Sequence, residues 1–103
     1  PDGISNQIEG GLIQSLSWTL KEEVQMDKTR VLSRDWNSYP ILTFSEVPPV
    51  DIVLIDRPGQ PFLGTGEASQ GPTGAALANA VFDATGVRFR TLPLTPDRVL
   101  QAL

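Results

Sequence analysis

Residues 71–86 read GPTGAALANAVFDATG, a stretch that begins and ends like an α-helix. Pro72 suits a first helical turn, because its fixed φ matches the helix and its missing N–H is not needed there. Gly86 suits the position just past the last turn, where a left-handed backbone closes a helix. The residues between them are mostly alanine with leucine, valine and phenylalanine. Such a composition, apolar on most sides, predicts a buried helix that packs closely on its neighbours.

A second helical pattern runs from the start of the chain to about position 20. Ser5 or Asn6 is a suitable N-cap for it. Its apolar residues recur at helical spacing: Ile8, Leu12, Ile13, Leu16 and Leu20. Gly10 and Gly11 lie inside this helix and together cost about 1–2 kcal/mol of helix propensity relative to alanine. We therefore expect another backbone or a ligand to approach this part of the helix closely.

Three other segments have the composition of strands. Residues 22–33 read as a short hairpin, VDIVLI at 50–55 is rich in β-branched residues, and 88–92 is a shorter candidate. Thr95 and Pro96 then fit the N-cap and first position of a last short helix. Together these elements predict an α+β fold, in which a small antiparallel sheet packs against two main helices.

Composition excludes several classes of function. The chain has 103 residues, a formal net charge of −4, no cysteine and no histidine. Disulfides, thiolate nucleophiles, Ser-His-Asp triads and the usual zinc sites are therefore excluded. The acidic balance argues against nucleic acid as a partner. No apolar run approaches the ~20 residues of a membrane-spanning helix, no signal-peptide pattern is present, and the cytoplasm and the periplasm both stay open as compartments.

The stretch GTGEAS at 64–69 holds the most unusual ionisable group in the chain. Glu67 stands between small residues, with Gly66 before it and Ala68 and Ser69 after it. A solvated surface glutamate does not need such neighbours, whereas a glutamate that points into a tight pocket does. The ordinary alternative is an acidic residue near the start of a helix, which is common.

Three motifs in this order carry a resemblance to a known family. They are QIEGG at 7–11, which follows a PDG turn at 1–3, then GE at 66–67, and then GPTGAALANAVFDATGVRFRTLPLTPDRV at 71–99. With them the chain resembles the C-terminal end of the molybdenum-binding subunit of the xanthine dehydrogenase and aldehyde oxidase family, of the isoquinoline 1-oxidoreductase beta-subunit type. The resemblance implies that residues 1–103 are a single C-terminal segment of a larger molybdopterin-binding domain.

The resemblance also implies roles for three residues. Glu67 corresponds to the family's general base, which takes a proton from a hydroxyl group on molybdenum. Gln7 corresponds to a glutamine that reaches the pterin and an oxygen ligand of the metal, and Gly66 lets the main chain come close to the cofactor. No residue of this chain is implied as a metal ligand. The implied cofactor is molybdenum-molybdopterin in its cytosine dinucleotide form, held in the full-length parent and not in the isolated chain.

The implied function is a piece of a molybdenum hydroxylase that oxidises aldehydes or N-heterocycles with water as the oxygen source. Its partners are then the rest of the molybdenum subunit and an iron–sulfur subunit or domain, and the chain alone is inactive. The alternative is a stand-alone binding or assembly module without cofactor. A detached piece is expected to expose the Gly10–Gly11 side of the first helix and the alanine face of 75–84, and so to self-associate.

Overall fold

The computed structural model describes all residues from 1 to 103. It contains three α-helices: α1 (Asp2–Leu20), α2 (Gln70–Thr85) and α3 (Pro96–Ala102). A single 3₁₀ turn, Phe44–Glu46, interrupts the long connection between α1 and α2. None of the three helices is both long enough and apolar enough to cross a membrane.

The predicted α+β fold is wrong, since the structure has three helices and no strand or sheet. Residues 22–33 form only an isolated antiparallel bridge between Met26 and Val31. Segments 50–55 and 88–92 form no backbone–backbone hydrogen bond at all. The reason is that strand composition describes a side chain's fit to a half-buried pleated surface, whereas a sheet also needs a second strand in register. No such strand lies beside these segments.

The helix boundaries agree better with the sequence. Gly86 ends α2 with φ of 72°, in the left-handed region, and Pro72 lies in its first turn. Thr95 is the N-cap of α3, where its hydroxyl accepts a hydrogen bond from the Arg98 N–H at 3.3 Å. By contrast, α1 begins at Asp2 and not at the predicted cap, Ser5 or Asn6.

Helices α1 and α2 pack through small residues. Gly11, Ser15 and Thr19 are buried and lie one turn apart along the same face of α1. A Cβ added to Gly11 would overlap the Ser69 hydroxyl, and one added to Gly74 would lie 3.4 Å from Thr19 Oγ1. The two helices therefore run in the same direction, and α2 begins beside the middle of α1.

The prediction of a buried helix at 71–86 is wrong, since no residue of α2 is buried in this structure. One side faces α1, while the opposite side, which includes Ala75, Ala76 and Ala80, is exposed. Of the two glycines in α1, Gly11 is covered by Ser69, whereas Gly10 has no neighbouring atom within 4 Å of an added Cβ. Self-association through the exposed alanine face stays a prediction.

The C-terminal part of the chain is attached at the far end of α1. Leu94, the one buried large apolar residue, donates its N–H to the Thr19 carbonyl at 2.7 Å. Arg98 of α3 forms an ion pair of 2.7 Å with Glu23. The molecule is nevertheless open: its radius of gyration is 16.7 Å, whereas a compact domain of this length has about 13 Å.

Large apolar side chains are correspondingly exposed in the connection between α1 and α2. Phe62 is 98% exposed and Val53 is 85% exposed. Surface of this kind is characteristic of chains that are covered by another protein surface. The fold therefore provides a pair of packed helices in which α2 begins beside the middle of α1, and a long connection whose large apolar side chains are exposed.

Candidate functional site

The second turn of α1 is joined to the turn that precedes α2. The side-chain Nε2 of Gln7 donates a hydrogen bond of 2.6 Å to the main-chain carbonyl of Gly66, 59 residues along the chain. The sequence motif at residues 7–11 and the motif at 66–67 are thus adjacent in space. The structure brings Gln7 and Gly66 together, and Glu67 is the next residue of the same turn.

A second hydrogen bond holds this turn two residues beyond Glu67. The hydroxyl of Ser69, which is half-buried, donates to the main-chain carbonyl of Ile8 at 2.9 Å. Ser69 can approach so closely because Gly11 has no side chain. Gln7 and Ile8 are consecutive in α1, so both attachments are made to one helical turn.

The carboxylate of Glu67 is exposed and takes part in no hydrogen bond or ion pair within the chain. Its main-chain carbonyl does accept the N–H of Gln70 at 3.1 Å, which closes the turn onto α2. The first residues of α2 follow directly, and the positive end of a helix favours a negative group beside it. The carboxylate is therefore placed by its main chain alone and is free to meet an outside group.

The ion pairs and perturbed acids of the molecule lie away from this turn. Lys21 contacts both carboxylate oxygens of Glu46, at 2.5 and 2.6 Å. This Lys21 hydrogen bond, with further bonds from Thr43, lowers the pKa of Glu46 to about 2. A hydrogen bond from Arg98 likewise holds the pKa of Glu23 below its usual value. These pairs fasten the connection and α3 to the C-terminal end of α1, and they are structural.

Tyr39 belongs to the same structural set. Its hydroxyl donates a hydrogen bond of 2.8 Å to Glu22, and that bond raises the pKa of the phenol. Because Glu22 directly follows the end of α1, this bond holds the connection against that end of the helix. No feature of this arrangement reaches the turn at Glu67.

The largest cavity of the chain is not at the Glu67 turn. It has a volume of about 690 Å³ and is lined mostly by apolar residues: Leu20, Lys21, Leu42, Glu46, Leu94, Pro96, Val99, Leu100 and Leu103. Leu20 is thirteen residues after Gln7 in α1, which corresponds to about 20 Å along a helix. None of the five main cavities includes Gln7, Gly66 or Glu67. The chain by itself therefore does not enclose a pocket around Glu67.

The groups at the turn are suited to contact a cofactor but do not form a binding site for one by themselves. No cluster of three or more histidine, cysteine, aspartate or glutamate residues is present that could hold a metal ion. What the turn offers is one free carboxylate and one amide. The Nε2 of Gln7 is engaged with Gly66, so its Oε1 is the atom left to accept a bond. Gly66 has open space around it, so a flat ring system can approach the main chain.

The contribution of Ser69 was not predicted from the sequence, which indicated only a small residue after the glutamate. The bond from Ser69 to Ile8 joins positions 61 residues apart, and no spacing rule predicts such a contact. Gly11 was the available signal, because a glycine inside a helix predicts the close approach of another group. The group that approaches is the Ser69 hydroxyl.

The chain is similar to one protein family and to several known oxidoreductases. The family described as "Molybdopterin cofactor-binding domain" matches residues 1–48. A nicotinate dehydrogenase subunit of Pseudomonas putida is 50% identical over 103 residues, 100% of this chain and 9% of that protein. The membrane-bound aldehyde dehydrogenase (pyrroloquinoline-quinone) of Gluconacetobacter polyoxogenes is 35% identical over 103 residues, 100% of this chain and 13% of that protein. The beta subunit of isoquinoline 1-oxidoreductase from Brevundimonas diminuta is 36% identical over 96 residues, 93% of this chain and 12% of that protein.

More distant matches are named as subunits of xanthine dehydrogenases and as molybdenum-binding subunits of aldehyde oxidoreductases. The chain spans only 9–13% of the length of the three relatives described above. Most of each relative therefore lies outside the region to which this chain is similar.

Proposed function

The chain belongs to the family of molybdenum-binding subunits of xanthine dehydrogenases and aldehyde oxidases, and from this we propose that Glu67 is the general base of a molybdenum-dependent oxidoreductase. Gln7 and Gly66 are proposed to contact the cofactor. Residues 1–103 act in this proposal as one segment of a molybdopterin-binding domain. The family is one of enzymes, and the role of this segment is to supply a base and an amide to a site completed by other segments.

One contact carries the proposal. The hydrogen bond from Gln7 to Gly66 joins two motifs that are 59 residues apart, and Glu67 directly follows the accepting residue. A carboxylate and an amide side chain are thereby brought near each other where α2 begins beside α1. Such a pairing supports a shared site for the two, because an isolated surface glutamate needs no amide beside its turn.

The chemistry of this chain's residues follows from their functional groups. When bound, the molybdenum cofactor supplies a Lewis acid and an acceptor for the two electrons of the oxidation. Glu67 accepts the proton of the water-derived oxygen that is transferred to the substrate carbon. The Oε1 of Gln7 accepts a hydrogen bond from a donor on the cofactor, which orients it relative to Glu67. Cover from the rest of the subunit excludes water from the turn and strengthens these polar interactions.

The proposed substrates are aldehydes or N-heterocycles with an electron-poor carbon. Two of the relatives are named for N-heteroaromatic compounds, nicotinate and isoquinoline, and one is named for aldehydes. Each of these classes of compound contains a carbon that is bonded to nitrogen or oxygen. This chain lacks a formed pocket at Glu67, so the selection between the two classes is assigned to other segments of the subunit.

The proposed cofactor is molybdopterin in its cytosine dinucleotide form. One relative is named for pyrroloquinoline quinone instead, but the family that matches residues 1–48 is described as molybdopterin-binding, and that match concerns this chain itself. Release of CMP on mild acid hydrolysis of the full subunit tests the nucleotide, and release of AMP or GMP would contradict it. An iron–sulfur subunit or domain is the proposed electron acceptor.

Solvent labelling tests the proposed reaction. The full subunit with its cofactor, supplied with nicotinate or benzaldehyde and a dye acceptor in H₂¹⁸O, is expected to form an oxidised product that carries one solvent oxygen. A product that takes its oxygen from O₂, or no turnover of either class, would contradict the proposal. The isolated chain is expected to bind no molybdenum and give no turnover, because none of its main cavities lies at Glu67 to hold the cofactor. Turnover by the isolated chain would contradict that expectation.

A further inference from the structure

The hydroxyl of Ser69 has a defined contact that the proposed chemistry does not use. It donates a hydrogen bond of 2.9 Å to the main-chain carbonyl of Ile8. We propose that Ser69 is a positioning residue for Glu67, which fixes the turn that carries the carboxylate against α1. This inference rests on the proposed function, because it assigns to Ser69 an effect exerted through the base.

The turn is attached on both sides of the carboxylate. Gln7 holds the carbonyl of Gly66, immediately before Glu67, and Ile8 holds the side chain of Ser69, two residues after it. Only Glu67 and Ala68 lie between the two attachments. Because Gln7 and Ile8 are neighbours on one helical turn, the main chain of Glu67 has a fixed position relative to the amide of Gln7.

Ser69 also connects the turn to α2. Its main-chain carbonyl accepts a hydrogen bond of 3.3 Å from the Thr73 N–H and one of 2.6 Å from the Thr73 hydroxyl. A single residue thus joins α1, the turn and α2. Removal of the hydroxyl would remove one of the two attachments of the turn to α1, since the bond from Gln7 to Gly66 remains, and would leave the start of α2 in place.

The attachment matters because no hydrogen bond within the chain holds the side chain of Glu67. The main chain therefore sets only the point from which this side chain extends, and the bonds at Gly66 and Ser69 hold that point against α1. General-base catalysis needs the base within hydrogen-bond reach of the proton it takes. Displacement of a reacting group by about 1 Å can lower a rate by about a hundredfold.

The contact with Gly11 explains why a serine can reach this carbonyl. A side chain at residue 11 would occupy the position of the Ser69 hydroxyl. The glycine in the helix and the serine in the turn are therefore a matched pair. Gly10, its neighbour in α1, has open space and takes no part in the pair.

A double-mutant cycle tests this role in the full subunit with its cofactor. The measured quantity is the rate of substrate-driven reduction of the enzyme in a single turnover, with nicotinate and benzaldehyde as probes. Ser69→Ala is expected to lower this rate by about ten- to a hundredfold in the wild-type background. In the Glu67→Gln background the same change is expected to have less than about a twofold effect, since the two act as one unit. Ser69→Thr, which keeps the hydroxyl, is expected to restore the rate.

Two further measurements separate the possible outcomes. Molybdenum content and amide exchange of residues 66–70 are followed in every variant, and exchange is expected to be several-fold faster in Ser69→Ala. Ser69→Cys, whose thiol is a weak donor, gives a milder variant if the alanine variant does not fold. Thr85→Ala is the matched control, because Thr85 makes the same kind of bond, 2.7 Å to the Val81 carbonyl, at the other end of α2.

The possible results of these measurements overturn either the positioning role of Ser69 alone or the proposed function together with it. An equal loss of rate from Ser69→Ala in both backgrounds, or no loss in the wild type while Glu67→Gln is slow, would overturn the positioning role alone. An unchanged rate in Glu67→Gln with molybdenum in place would overturn the proposed function, and the positioning role with it. Faster exchange at 66–70 together with a loss confined to the background that has Glu67 supports both.

Discussion

The side-chain amide of Gln7 donates a 2.6 Å hydrogen bond to the main-chain carbonyl of Gly66, and this contact joins the two ends of the candidate site. Because Glu67 follows Gly66, the amide and the carboxylate belong to one local structure. The carboxylate itself lies exposed, in none of the main cavities of the chain. If Glu67 is the base, other segments of the subunit therefore cover the turn that carries it.

Exchange of Gln7 for glutamate tests the donor role of its amide. Gln7→Glu removes the Nε2 donor and sets a negative charge against the Gly66 carbonyl, so the turn is expected to lose this attachment to α1 and to be held by Ser69 alone. Gln14→Glu is the matched control, because Gln14 accepts a hydrogen bond of 3.1 Å from Gln70 and a carboxylate also accepts. Amide exchange of residues 64–69 in the full subunit is expected to rise in Gln7→Glu and to stay at the wild-type level in Gln14→Glu. A rise of equal size in both would show that charge and not the donor is responsible.

The two glycines of α1 are expected to respond in opposite directions to alanine. Gly11→Ala is expected to destabilise the 103-residue chain, because the new Cβ overlaps the Ser69 hydroxyl. Gly10→Ala is expected to stabilise it by about 0.5–1 kcal/mol, because alanine is the better helix former and the space is open in this chain. Thermal or denaturant unfolding of the 103-residue chain measures both.

A second substitution shows whether the overlap causes the Gly11 effect. Addition of Ser69→Ala to Gly11→Ala removes the overlapping hydroxyl and leaves the Ser69 Cβ at 3.8 Å from the new methyl group, an ordinary contact. The double variant is expected to be more stable than Gly11→Ala alone. Equal stability of the two variants would contradict the pairing of Gly11 with Ser69.

The helices of this chain were largely predictable, because their end signals are local. Pro72 and Gly86 mark the limits of α2 within two residues, and Thr95 with Pro96 marks the start of α3. Each signal acts on the backbone of its own turn and needs no distant partner. The start of α1 was missed because Asp2 and Gly3 read as a turn, whereas both are helical in the structure.

The prediction of a sheet is wrong because the candidate strand segments have no partner strand. VDIVLI at 50–55 has the residues of a strand, yet its N–H and C=O groups have no partner within the chain. The composition of a segment shows that it suits a strand, but it does not show whether a neighbouring strand is present to pair with it. The contact of Ser69 with Ile8 was missed for a related reason, since it depends on how α1 and α2 pack and not on any local motif.

The acid–base behaviour of Glu46 provides a pH test of the connection. Its pKa is lowered to about 2, first by the hydrogen bond from Lys21, from a usual value of 4.5. Because the pKa of Glu46 is lower in the folded state than in the unfolded state, its ionised carboxylate stabilises the fold above about pH 4.5. This stabilisation is lost as the pH falls toward about 2. The attachment of the 3₁₀ turn to α1 is therefore expected to weaken between pH 4.5 and about 2. Carboxyl ¹³C shifts of Glu46 in a pH titration of the 103-residue chain measure this.

Lys21→Gln and added salt are the controls for that titration. Both are expected to raise the pKa of Glu46 part of the way back, because the pair is partly exposed and therefore screened by salt, while the bonds from Thr43 persist. An unchanged midpoint in Lys21→Gln would contradict the assignment of the shift to Lys21. The effect on global stability is expected to be small, as for other exposed ion pairs.

The most direct test of the account is the single-turnover rate of Glu67→Gln in the full subunit, measured beside its molybdenum content. Glutamine keeps the size of the side chain and removes the base, so the rate of enzyme reduction by nicotinate or benzaldehyde is expected to fall by about 10²–10⁴-fold while molybdenum stays bound. Glu9→Gln, which changes an exposed carboxylate of α1, is expected to leave the rate unchanged. A wild-type rate for Glu67→Gln, with molybdenum in place, would contradict the central claim that Glu67 is the base.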